Sequence, residues 1–217
     1  MNNILYKELK LSASLLCYIF IIFGLMFLIP GYPILCGAFF VSLGIFRNFQ
    51  DYLLTNDIVF SALLPIKKKD IVKGKFIFVC FIELCSILLM SVCVLIRNTL
   101  LVDSLVYRNN FMMNANLYAL AMAFVIYAIF NLIYVAGFFK TTYKSTWPFI
   151  WHMIITFLII GLAETLIHMP GLAFLNAFGK DYINAQLLIL LIGITLYFLI
   201  TLLAYKISCK RFERIDL

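Results

Sequence analysis

The chain has 217 residues, of which 65% are hydrophobic and 12% charged, and its mean hydropathy is +1.07. A soluble domain carries roughly 45–50% apolar and 25% charged residues, so this composition excludes a single water-soluble globule and calls for a bilayer as solvent. The net charge of +7 comes without a basic stripe interleaved with aromatics, which argues against nucleic acid; the gathering of Lys and Arg in cytoplasmic loops accounts for it instead.

Met1 to Leu11 places Ile4, Leu5 and Leu9 on one side of a short helix and Lys7, Glu8 and Lys10 on the other. That suits a segment lying in the membrane interface, although a frayed polar terminus fits the same periodicity. No small-residue cleavage site follows, so the first apolar run reads as a permanent span.

A hydrocarbon crossing takes about 20 apolar residues. By that measure the spans are Ser12–Ile29, Ile34 to about Leu54, Phe76–Ile96, Leu117–Phe139, Trp147–Ile167 and Ile183–Tyr205. The first two are joined by the uncharged turn Pro30-Gly31-Tyr32-Pro33. Between the second and third lies Asn56 to Lys75, an amphipathic piece broken at Pro65 and followed by Lys67, Lys68, Lys69, Lys73 and Lys75. Met169 to Asp181 is apolar but too short to cross. The expected fold is an all-α membrane protein of six helices in a single domain, residues 1–217.

Orientation follows from counting Lys and Arg by side. Fourteen fall on the side of both termini and the Asn56–Lys75 stretch; three, Arg97, Arg108 and Lys180, fall on the other. Both termini are therefore expected to face the cytoplasm. Trp147 and Trp151 suit an aromatic belt at that interface.

Ionisable groups inside the hydrocarbon cost about 2.5–3.5 kcal/mol on insertion scales, so each needs a reason. At ~1.5 Å rise per residue, Arg47 falls about 10 Å and Glu83 about 12 Å from the cytoplasmic face. They form an ion pair across two neighbouring helices, with Asp51 one turn below Arg47, or else Arg47 snorkels to the headgroups while Glu83 faces a water-filled vestibule. Glu164 and His168, four apart, share a face at the outer end of the fifth span; they are outer-gate candidates, or two polar groups already at the interface. Tyr127, Asn131 and Tyr134 cluster on one side of the fourth span and suit interhelical hydrogen bonds. His152 stands alone. The six cysteines show neither disulfide nor metal spacing.

No nucleophile elbow or metalloprotease motif occurs. Gly74-Lys75 and Gly179-Lys180 lack the flanking residues of a phosphate loop. Catalysis, a bound cofactor and a metal are not expected on this chain; if ATP drives it, ATP and Mg bind a partner.

Six spans with both termini inside, ILYKELKL before the first, and LLPIKKKDIVKGKF leading into the third resemble the membrane subunit of a type-2 ABC exporter. Leu64, Pro65, Lys67 to Lys69, Ile71, Val72 and Lys75 carry the motif. The resemblance implies an N-terminal interfacial connecting helix and short extracellular re-entrant helices within Met169–Asp181. It also implies a coupling helix over about Thr55–Leu64, with Asp57, Ile58, Phe60, Leu63, Leu64 and Pro65 meeting a cytoplasmic ABC ATPase. Two permeases, expected as a homodimer, and two ATPases form the implied unit. The short chain looks most like the permeases of Gram-positive peptide exporters, those expelling phenol-soluble modulins or antimicrobial peptides. The alternatives are a six-helix substrate-capture subunit of a vitamin importer and an unrecognised membrane enzyme.

Overall fold

The computed structural model describes residues 6–63, 65–141, 144–179 and 181–215. Ile4 and Leu5 of the N-terminal segment, Leu64 of the expected coupling helix and Lys180 lie outside them. The described residues are helical, without strands. A π-type turn, α1 (Lys7–Leu11), precedes an apolar helix, α2 (Leu15–Leu28), and a 19-residue helix, α3 (Cys36–Leu54). A seven-residue helix, α4 (Asp57–Leu63), leads to the 32-residue α5 (Lys68–Thr99) and a single turn, α6 (Leu105–Arg108). The chain continues through α7 (Leu117–Thr141), α8 (Thr146–Leu166) and α9 (Ile183–Glu213).

Among the described residues, α5, α7, α8 and α9 are long and apolar enough to cross a membrane. Helix α2 is shorter than the expected first span, but its second part, Phe20–Leu28, is wound as a 3-10 helix. At about 2.0 Å rise per residue there, against 1.5 Å in an α-helix, its 14 residues reach roughly 25 Å.

Helix α5 begins at Lys68, so the basic stretch is not a long loop. Lys68, Lys69, Lys73 and Lys75 occupy its first two turns. Asp70 sits in that first turn, where a carboxylate favours the positive end of the helix dipole, and makes no cap.

Two distinct ends of the bundle are defined by hydrogen bonds. At one, Lys68 Nζ reaches the carbonyl of Ile215 at 2.6 Å, and Lys7, α4 and the base of α5 gather. At the other, the Gly31 amide donates to Asn110 and the Gly179 amide to Asn98, each at 3.0 Å. The packed interior is rich in rings: Phe46 and Phe149 stack with centroids 3.9 Å apart, and Tyr134 meets Phe46, Phe49 and Phe149 edge-on. Helices α7 and α9 approach closely at Gly193, where a Cβ would lie 2.9 Å from the Ala121 carbonyl oxygen; small residues permit such backbone contact between membrane helices.

Candidate functional site

Helix α4 hangs directly from the end of α3. Asn56 adopts a left-handed backbone, φ 53°, which breaks the helix between α3 and α4 within two residues and which Asn tolerates better than most side chains. Its carbonyl then accepts the first bond of α4, from the Phe60 amide at 3.0 Å. Pro65, which cannot continue a helix, lies two residues past the end.

The two faces of α4 differ sharply. Ile58 and Ser61 are buried, whereas Val59, Phe60 and Leu63 are 43%, 59% and 80% exposed. Of the expected coupling residues, Phe60, Leu63 and Pro65 point outward; Ile58 belongs to the core, and Asp57 is engaged in an ion cluster.

That cluster fixes the inner face. Lys7 Nζ lies 2.6 Å from one oxygen of Asp57, and Lys75 Nζ lies 2.9 Å from the other. Lys75 also meets Glu8 at 3.0 Å, and Lys7 stands 3.6 Å from Glu8. Lys7 donates to Ser61, Ser12 donates to Asp57 at 3.2 Å, and the Lys75 ammonium sits 3.2 Å from the centroid of the Tyr52 ring. Two cations and two anions alternate, so the group is neutral as a whole. Neutrality matters because the Lys75 and Glu8 side chains are 0% and 1% exposed, and a buried charge is tolerable only when paired. Burial pushes the Asp57 carboxyl up, but Lys75 and Lys7 outweigh it and hold its pKa below the ordinary carboxylate value.

The expectation that Glu8 lies on the polar face of an N-terminal helix is thus corrected: Glu8 is buried against Lys75. The same holds for Lys75, read as one of several topology-setting lysines. It had a legible signal, because Ile71, Lys75, Val79 and Ile82 fall on one helical stripe with their neighbours.

The expected Arg47–Glu83 pair does not form. Arg47 projects from the outer face of α3, half-exposed, 3.9 Å from Asp51 and 3.3 Å from Gln50, while Asn48, Phe49 and Tyr52 form the buried face. Glu83 is fully buried and bonded instead to α7 and α9. Its Oε2 accepts from Tyr197 at 2.7 Å and from Asn131 at 3.1 Å, and the same Asn131 amide reaches Thr201 at 3.1 Å. Asn131 opens a π-helical turn, Asn131–Val135, a distortion often found at functional positions. Tyr127 shares a 2.6 Å bond with Ser86, whereas the Tyr134 hydroxyl, Glu83 Oε1 and Asn131 Oδ1 have no hydrogen-bond partner among the described residues.

At the opposite end, Glu164 and His168 both hold the segment before α7. Glu164 accepts the Met113 amide at 3.0 Å, and His168 stacks on Phe111 with centroids 4.5 Å apart. Within Met169–Asp181, where short re-entrant helices are expected, the described residues include one 3-10 turn, Ala173–Asn176. It is tied to Asn114 and Asn116 by bonds of 2.7 Å to each. Arg97, read as a loop charge, is fully buried: it donates to the Phe27 carbonyl and to Asn114, both at 3.2 Å, with its guanidinium 4.4 Å from the Tyr107 ring. His152 is buried among rings and bonds to Thr156 of its own helix. No metal-holding group of His, Cys, Asp or Glu occurs among the described residues.

A polytopic helical membrane protein with an amphipathic element bolted across one end of its bundle is the class these features define. A family model for ABC-2 family transporter proteins matches residues 3–213. The chain belongs to that family, and it is a transmembrane component of an ABC transporter. No curated protein and no solved structure matches it.

Proposed function

We propose that this chain is the membrane subunit of an ATP-driven exporter, with six spans and both termini in the cytoplasm of a bacterial cell. It works as a homodimer with two copies of a separate ATPase, which binds ATP and Mg and pushes on α4. The proposed substrate is an amphipathic or hydrophobic molecule, such as a toxin or antimicrobial peptide, in keeping with the largely apolar helices it would pass between.

The observation that carries this reading is the division of labour on α4. Its inner face is clamped by Lys7, Glu8 and Lys75 through Asp57, and its outer face offers Val59, Phe60 and Leu63 to the surroundings. An exposed apolar patch on a rigidly held helix is what a docking partner uses. Glu83 and its polar neighbours supply a buried polar patch midway along α5 that a passing substrate would meet or that a conformational change would rearrange.

The test is co-purification of the tagged chain with its ATPase, with ATP hydrolysis measured in reconstituted vesicles. Phe60→Asp with Leu63→Asp should leave insertion and folding intact while abolishing both co-purification and stimulated hydrolysis. Retention of the ATPase by that double variant would overturn the assignment of α4.

A further inference from the structure

We propose that a cleft between the end of α7 and the start of α8 is a binding site for the phosphate headgroup of an anionic phospholipid. The proposal rests on reading α7 and α8 as membrane spans, and it is independent of whether α4 is the coupling element.

The cleft encloses about 450 Å³, within the ~300–1,000 Å³ range of small-molecule sites. Lys140 and Lys144 lie on its rim with their side chains exposed, and Arg211 reaches it from α9. Arg211 is held in place by a 2.6 Å bond from its Nη1 to the Ala136 carbonyl. Three cations thus converge, and among the described residues no carboxylate lines the cleft. A second basic cleft provides the contrast. Lys69, Lys206 and Lys210 line it together with Glu213, which pairs with Lys69 at 3.3 Å, so part of its charge is already answered.

Two further features point to a lipid. Trp147 and Trp151, four apart on one face of α8, border the cleft and are 67% and 57% exposed. Indole rings prefer the headgroup level of a bilayer, with the ring in the apolar part and the N–H toward water. The cleft also abuts the first turn of α8, whose Ser145 N-cap makes no side-chain bond to the helix amides. Unsatisfied amides at a helix start favour a phosphate. Basic pockets between membrane helices on the cytoplasmic side bind anionic headgroups by the same combination of charge and depth.

Trp147 and Trp151 are the only tryptophans in the sequence, so tryptophan fluorescence reports on this cleft alone. The full chain is reconstituted in phosphatidylcholine nanodiscs containing either bromine-labelled phosphatidylglycerol or bromine-labelled phosphatidylcholine at equal fraction. Phosphatidylglycerol should quench more strongly. Lys140→Gln with Lys144→Gln, at two exposed side chains with no role in packing, should weaken its preference by about tenfold, while Lys140→Arg with Lys144→Arg should keep it. Equal quenching by the two lipids, or an unchanged preference in the Gln double variant, would overturn the proposal. So would a tryptophan response to inorganic phosphate in plain phosphatidylcholine as large as the response to phosphatidylglycerol, which would assign the cleft to a soluble anion.

Discussion

Lys75→Met tests whether the ion cluster is what holds α4 to the bundle. The substitution keeps the length of the side chain and its packing on Tyr52 but removes the cation that touches both Glu8 and Asp57. Breaking a buried pair by deleting one partner costs about 3–5 kcal/mol, because the other charge stays buried and unanswered. Here Lys7 remains 2.6 Å from Asp57, so Asp57 keeps a partner and the burden falls on Glu8, left with Lys7 at 3.6 Å. The expected loss is therefore at the lower end, about 3 kcal/mol, or roughly a hundredfold in the equilibrium holding α4 and α1 in place. The assay is thermal unfolding in detergent alongside protease accessibility of residues 55–66. Adding Glu8→Met should restore most of the loss, since a matched apolar pair in place of a buried ion pair is neutral or stabilising. A single variant as stable and as protected as the parent, or a double variant no better than the single, would refute the clamp.

The same cluster should loosen in acid. Asp57 is held below its unfolded value near 3.9, so its contribution is complete above about pH 4 and fades as pH falls through the lower folded value; protease accessibility of α4 against pH reads this, and a flat profile to pH 2 would contradict it. Glu83→Ala removes the acceptor that joins α5 to Tyr197 and Asn131, leaving a cavity and two donors to re-partner; a loss of about 2–4 kcal/mol is expected in thermal unfolding, while Glu83→Gln, which retains an acceptor oxygen, should lose less than half as much. Arg97→Met should free the end of α2 and the Asn114 segment, lowering stability by about 2–3 kcal/mol and raising hydrogen exchange across residues 109–116. Gly193→Leu should push α7 and α9 apart and destabilise by at least 1–3 kcal/mol by unfolding in detergent.

The helices were legible because their apolar runs are long, and composition alone requires a bilayer. The boundaries of α5 were not, since Lys68 to Lys75 fall outside the apolar run that starts at Phe76 when residue type is considered without phase. Counting along the helix would have placed Lys75, Glu83 and Arg97 on the buried stripe with Ile71, Val79 and Met90. Depth matching failed for Arg47 and Glu83 for a related reason: equal depth does not make two side chains face each other, and Asn48 and Tyr52 set the buried face of α3 at an angle that turns Arg47 outward. The partner of Lys75 could not be found from sequence, because Glu8 and Asp57 come from segments 67 and 18 residues away. No local pattern specifies that meeting.

The three buried ionisable groups of α5 lie at its base, middle and top. At 1.5 Å per residue, Lys75 and Glu83 are about 12 Å apart and Glu83 and Arg97 about 21 Å. Each ties α5 to different neighbours: Lys75 to α1 and α4, Glu83 to α7 and α9, Arg97 to the end of α2 and the segment before α7. A force applied to the outer face of α4 passes through Asp57 into the base of this helix. Turning α5 about its axis would strip Glu83 and Arg97 of their partners together, each loss costing about 1–3 kcal/mol or more for a charged group. Moving α5 with those partners costs neither. The geometry therefore favours displacement of α5, α7, α9 and the end of α2 as one body, with the rearrangement taken up where α5 meets its neighbours through apolar contacts alone.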